Sequence, residues 1–319
     1  MRAMVYTGPL KLEILDLDMP VAEREEVLVR VDAAGICGSE LEGFTSKSSF
    51  RVPPLVMGHE FVGWRVDTGK PVFVNPLVSC GTCDLCRRDR ANICRARSII
   101  GIQRPGGFAD FVAVPARNCV ELPNDDALAV AILIEPLANA THALDLAIDK
   151  VDPPRRVGVI GAGTLGFLTA FSAVTQGVPE VVISDLSAQR RSLAGASGAH
   201  LVVENLEGEF DVIVDAVGTD TTRAASVELV RPGGAAAWVG LHATRSAVDG
   251  LDVIRAEKRI VGSFCYHERD VTTAVGLLST LDSAWIARRP LEDGVETFLR
   301  LASGDHSALK TALVAGGAS

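Results

Sequence analysis

The sequence predicts an α/β protein, with a β-rich first third followed by a doubly wound parallel sheet. Two observations carry that expectation. Before residue 126, apolar and polar residues alternate in short runs broken by Gly and Pro, and helical periodicity is scarce. From Val157 onward, short apolar runs alternate with helical segments, which a parallel sheet covered on both faces requires. The chain has 319 residues, 48% of them hydrophobic. That is enough for one large or two modest cores, and two domains fit better.

In order, Glu26–Asp32 and Gly107–Val114 read as half-buried strands, punctuated by Gly8-Pro9, Pro53-Pro54 and Pro105-Gly-Gly107. Asp152-Pro-Pro154 breaks the chain just before the parallel sheet. The expected strands there are Val157–Ile160, Glu180–Ser184, Leu201–Val203, Asp211–Ala216, Ala235–Leu241 and Arg259–Phe264. The expected helices are Thr164–Gln176, Ser187–Ala196 and Thr221–Val230. Six strands suit the doubly wound dinucleotide-binding arrangement. After Phe264 the alternation fades, and the last part of the chain is expected to rejoin the first domain. No internal repeat or low-complexity segment stands out.

The formal net charge of −9 gives little to phosphate neutralisation, so nucleic acid is not an expected partner. No run of 18 apolar residues predicts a membrane span. Met1–Gly8 reads as a strand and lacks a signal peptide's apolar core, so a cytoplasmic, reducing location is expected.

Four of the seven cysteines, Cys80, Cys83, Cys86 and Cys94, crowd into one short stretch. In a reducing compartment this spacing favours a metal site over disulfides, and zinc favours four thiolates. Cys119 and Cys265 have no partner pattern and read as structural. Gly161-Ala-Gly163-Thr164-Leu165-Gly166 follows a strand and opens a helix. Its glycines permit a tight turn, close approach of a pyrophosphate and helix–strand packing. Asp185 ends the next strand about 20 residues on, where an acid accepts hydrogen bonds from the adenosine ribose. A carboxylate there favours NAD over NADP. Arg190 and Arg191 lie nearby, as a phosphate contact or as a solvated helix face. Cys37, in Gly35-Ile-Cys37-Gly-Ser39-Glu40, and His59, in Gly58-His59-Glu60, are each unspecific alone. Beside a dinucleotide domain they suggest a second, catalytic zinc with one position open to substrate.

Together these motifs, with Asn75–Cys86, Gly106-Gly-Phe-Ala109 and Glu135-Pro-Leu137, resemble the zinc-dependent medium-chain dehydrogenases/reductases. The pattern is closest to the polyol (sorbitol-like) and threonine dehydrogenase branch. The resemblance implies a GroES-like β-barrel catalytic domain over residues 1–137, with a structural-zinc lobe at about 76–97. It implies a Rossmann NAD-binding domain over 138–263 and a return segment over 264–319 that completes the catalytic domain. It implies that Cys37 and His59 bind the catalytic zinc, with Glu60 and Glu135 ligating directly or through water. It also implies that the four clustered cysteines hold a structural zinc. Ser39 is expected to relay a proton, and NAD is expected to bind along Gly161, Gly163, Thr164, Leu165, Gly166, Asp185 and Arg190.

The expected activity is hydride transfer between a secondary alcohol or ketone and NAD, by a homodimer or homotetramer with no membrane partner. Two other readings stand beside it: a zinc-independent reductase of the same fold, and a non-catalytic NAD- or zinc-binding protein. Three features depart from the family pattern. Glu40 stands where Asp is usual, Glu42 stands where a relay His is frequent, and the Trp64–Val74 connection is short.

Overall fold

A computed structural model describes residues 1–45 and 50–316. The chain divides into two compact units, Met1–Glu135 with Thr272–Ser319, and Pro136–Val271. In the first unit, strands β1 (Arg2–Gly8), β2 (Lys11–Asp16) and β3 (Glu26–Gly35) precede a short helix α1 (Gly38–Thr45). Strands β4 (Leu55–Val56), β5 (Glu60–Arg65), β6 (Pro71–Val74), β7 (Leu77–Val78), β8 (Ser98–Ile99), β9 (Phe111–Pro115) and β10 (Cys119–Glu121) follow. Along β3, Val29, Val31 and Ala33 are buried while Arg30 is exposed, which is the period-2 pattern that made the strand legible.

The sequence pattern placed a strand from Gly107, but regular pairing with β3 begins only at Phe111. Residues 106–109 are spent otherwise. Gly106 N–H donates to Val56 O and Gly107 N–H to Gly58 O, both at 2.8 Å, so this stretch is pinned against the segment before His59. Helix α1 had no sequence signal, because it is short and carries few apolar positions.

Helix α2 (Ile134–Ile148) leads into the second unit. The stretch Ala131–Ile148 has the length and apolarity of a membrane span, but 78% of it is buried within the protein, as in a core helix. The second unit contains β11 (Arg156–Ile160), α3 (Thr164–Thr175), β12 (Glu180–Ser184), α4 (Ala188–Ala194), β13 (Leu201–Val203), β14 (Phe210–Asp215), α5 (Asp220–Glu228), β15 (Val230–Trp238), α6 (Gly250–Arg255) and β16 (Arg259–Gly262). The strands form one parallel sheet in the order β13-β12-β11-β14-β15-β16. Both faces are packed. Val212 and Val214 of β14 join one apolar cluster and Ile213 joins the other, so nearly every strand residue is apolar. Strand β15 stops at Trp238 rather than running to Leu241, because Gly240 is pressed against the Val217–Gly218 backbone.

The chain leaves the second unit through α7 (Glu268–Gly276) and continues with β17 (Ile286–Pro290), α8 (Gly294–Ala302) and β18 (Lys310–Val314). These last two strands complete the first unit's larger sheet, in the order β10-β6-β5-β3-β18-β17, with β9 also pairing β3. Helix α8 packs on α1 through Phe44 and Phe298, whose rings meet edge to face at 5.2 Å.

Candidate active site

Strand register assembles the first part of the site. Gly35 at the end of β3 lies opposite Glu60 at the start of β5 and opposite Ala312 of β18. Cys37 follows β3 directly before α1, Ser39 lies in the first turn of α1, and the residue before β5 is His59. The donor atoms of Cys37, His59 and Glu60 consequently fall within 4.8 Å of one another. His59 and Glu60 are buried and Cys37 is half-buried.

Glu40 holds this group in place. Fully buried, it accepts hydrogen bonds from Cys37 N–H at 3.0 Å and Gly58 N–H at 2.9 Å, and its Oε1 lies 2.9 Å from His59 Nδ1. With Nδ1 donating to the carboxylate, Nε2 is the nitrogen left to ligate, the arrangement in which an outer carboxylate orients a metal-binding His. Burial opposes ionisation of Glu40. The His59 charge and hydrogen bond, the Cys37 N–H and Arg51 outweigh it and hold the carboxyl below its usual range. Burial likewise opposes a charge on His59, and Glu40 and Cys37 overcome it, so that imidazole is held well above its ordinary value. Gly58 adopts φ +97°, and a Cβ there would lie 2.8 Å from Phe108 N, so only glycine makes this turn into His59. The Ser39 hydroxyl donates to Cys37 Sγ at 3.5 Å.

Glu135, buried at the start of α2, lies outside the three donors that meet. It still acts electrostatically on a residue that sequence reasoning missed, Lys310 of β18. Lys310 is 3% exposed and forms an ion pair with Glu60. Its only signal in the sequence is a single cation inside the apolar run Leu309–Val314.

The four clustered cysteines lie together. Their Sγ–Sγ separations are 3.5 Å for Cys83–Cys86 and Cys94–Cys80, and 3.9 Å for Cys80–Cys86 and Cys83–Cys94. A tetrahedron of thiolates about 2.3 Å from zinc has an edge of about 3.8 Å, so the donor set fits that ion and leaves no open position. All four are free thiols. The Cys86 N–H donates to Cys83 Sγ at 3.5 Å. Backbone N–H groups of Thr82 and Cys83 bring the Cys80 thiol down to about 6, which favours the thiolate a metal needs. The three-donor set of thiolate, imidazole and carboxylate also suits zinc, which takes a fourth ligand in such sites.

In the second unit, Gly161 turns with φ +95° and Gly163 caps α3. A Cβ at Gly166 would run into Gly161 O, so the third glycine is needed for close packing of the helix on its strand. Nothing approaches a Cβ position at Gly163, which leaves the backbone open to a pyrophosphate. Thr164 and Leu165 form the first turn of α3, whose N–H groups point toward that space. Asp185, just past the end of β12, accepts from Ala162 N–H and Ser187 N–H, both at 2.8 Å. Arg190 lies 3.6 Å from the same carboxylate, and Arg191 is turned back onto Asp185 O and Leu186 O.

A third cluster, His142, His267 and Asp270, also lies in the second unit. Here Asp270 Oδ2 is 2.9 Å from His142 Nδ1 and accepts the His267 N–H at 2.7 Å, capping α7. The carboxylate is therefore committed to structure: it ties the start of α7 to α2.

Residues 23–124 match the family model of the alcohol dehydrogenase GroES-like domain, and residues 164–280 match that of the zinc-binding dehydrogenases. An L-threonine 3-dehydrogenase of Chelativorans sp. (strain BNC1) is 32% identical over 280 residues, 80% of each chain. An L-galactonate-5-dehydrogenase of Escherichia coli (strain K12) is 28% identical over 326 aligned positions, covering 94% of this chain and 95% of that one. The solved structure of galactitol-1-phosphate dehydrogenase from Escherichia coli superposes with a TM-score of 0.89 at 27% identity, over 98% of this chain and 100% of its own. A Sinorhizobium meliloti 1021 protein solved with NADP bound superposes equally well, with a TM-score of 0.89 at 27% identity, over 98% of each chain.

Proposed function

Because the chain belongs to the zinc-dependent medium-chain dehydrogenases/reductases, on the polyol and threonine dehydrogenase side, we propose that it interconverts a secondary alcohol and its ketone with NAD. The substrate class is a polyol, sugar acid or 3-hydroxy amino acid. The single observation that carries the reading is the meeting of Cys37, His59 and Glu60, with Glu40 aligning His59 from behind. Such a set is open, whereas the four-cysteine set is closed.

Zinc at the open set supplies Lewis acidity toward the alcohol or ketone oxygen. The chain's own residues do the remaining work. Cys37, His59 and Glu60 fix the metal's position, and Glu40 fixes the imidazole. Ser39, on the same turn as Cys37, is the hydroxyl assigned to pass the substrate proton on. Cys80, Cys83, Cys86 and Cys94 would hold the other metal, whose part would be to pin the surface lobe.

NAD is the preferred cofactor. Asp185 keeps a carboxylate beside the ribose position, and Arg190, engaged with it, is not set aside for a 2′-phosphate. A cytoplasmic location is part of the same proposal, because the Cys80–Cys94 spacing reads as a metal site made of reduced thiolates. Assembly into a homodimer or homotetramer is part of the same proposal, with β16 as the edge strand available for pairing.

Metal analysis together with a panel of polyols, sugar acids and hydroxy amino acids, run with NAD and with NADP, tests the reading. Two zinc equivalents per chain and NAD-linked oxidation of at least one panel member are expected. A single equivalent with no turnover on any member would overturn it. Light scattering checks the assembly.

A further inference from the structure

Lys310 is the one site residue contributed from the far end of the chain, and nothing in the proposed reaction uses it. A lysine side chain almost never sits at 3% exposure without a dedicated partner. Here the ammonium ion-pairs with Glu60 and also donates to Ile36 O at 3.2 Å, the carbonyl immediately before Cys37. Ile36 N–H in turn donates to Thr311 O at 2.8 Å, so β18 grips the Cys37 loop by backbone and by side chain. Gly35 keeps the space open: a Cβ there would strike Glu60 and would lie 2.9 Å from Lys310 Cε.

We propose that Lys310 is a positioning residue for the catalytic metal. Its ammonium anchors the Glu60 carboxylate to the carbonyl that precedes Cys37, and so sets in advance where Glu60 meets the ion. The inference rests on the assignment of Cys37, His59 and Glu60 as zinc ligands. Two carboxylates, Glu40 and Glu60, are buried beside Cys37. Glu40 is occupied by His59 and two backbone N–H groups, whereas Glu60 is held by the Lys310 ammonium. A carboxylate without that anchor can rotate toward or away from the metal. An anchored one offers zinc a preset geometry, as outer partners of metal ligands do.

The test is metal retention in the full-length protein. Challenged with a chelator, the wild type should release two zinc equivalents in separate phases, and Cys37→Ala should remove only the phase of the open site. Lys310→Met should release that same equivalent about 10–100-fold faster and leave the four-cysteine equivalent untouched. With cobalt(II) in the open site, Lys310→Met should shift the visible ligand-field bands, and Lys310→Arg should restore both the bands and the release rate. Unchanged release and unchanged bands in Lys310→Met would overturn the proposal.

Because Lys310→Met leaves Glu60 buried and unpaired and can fail to fold, Glu60→Gln is paired with it. In the Glu60→Gln background, Lys310→Met should change neither readout, whereas additive effects would overturn the anchoring role. A wild type holding only the four-cysteine equivalent, or a Cys37→Ala variant that loses nothing, would sink the ligand assignment instead, so the two failures are distinguishable.

Discussion

Glu40 shows how one residue can order a site it does not enter. Three donors converge on its carboxylate, and one of them is His59 Nδ1, which leaves Nε2 to ligate in the proposed zinc site. Glu40, at a position where the family resemblance leads one to expect Asp, still reaches His59. Glu40→Gln should weaken zinc binding at the open site by about 10–100-fold, measured by chelator competition, with the four-cysteine equivalent unchanged. Ser39→Ala should cut turnover by about 10²–10⁴ if the hydroxyl carries the proton, and a variant of near wild-type rate would remove Ser39 from the mechanism. In the proposed reading, cofactor choice rests on Asp185. Asp185→Asn should shift the ratio of kcat/KM values for NAD and NADP toward NADP, because the repulsive charge goes and Arg190 is released. Steady-state kinetics with both cofactors decide it.

At the scale of elements, the site is a product of strand register. Three neighbouring strands, β5, β3 and β18, bring Glu60, Gly35 and Ala312 side by side, and a slip of one residue would turn Glu60 to the other face. Gly35→Ala tests that packing directly. The added methyl would displace Glu60 and Lys310, so loss of the open-site zinc is expected while the four-cysteine zinc stays; retention of both would show that the contact can relax. The cysteine lobe is a local element by contrast. Its ligands lie between Cys80 and Cys94, and backbone N–H groups of the same turns tune the thiols. That locality is why it was readable in the sequence.

At the scale of the molecule, both stretches of chain that leave the dinucleotide-binding unit pass the same contact, His142 of α2 with Asp270 of α7. Burial raises the Asp270 pKa, but the His142 hydrogen bond, the His267 N–H and their charges outweigh it and hold the carboxyl below its usual range. A carboxylate depressed in the folded state stabilises the protein above its unfolded value, about 3.9, and that contribution fades as pH falls through the lower folded value. Asp270→Asn should therefore lower stability at pH 7 by about 1–3 kcal/mol, with the gap to wild type narrowing in acid. Urea denaturation at pH 7 and in mild acid checks this; an equal gap at both would refute it.

What the sequence determined alone is whatever depends on neighbours in the chain. Period-2 and helical patterns announced the elements, the glycine spacing of Gly161–Gly166 announced a strand–turn–helix, and Cys80–Cys94 announced a cluster of four thiols. Each signal is local because a turn, a helix start or a wrapped ion involves only a few consecutive residues. The tertiary structure alone decided which acidic group stands behind His59, that Glu60 rather than Glu135 meets Cys37 and His59, and that Lys310 reaches them from the far end of the chain. Those outcomes follow from cross-strand register and from the burial of charge. A buried cation must find its anion in space, and no pattern along the sequence records where that anion will be.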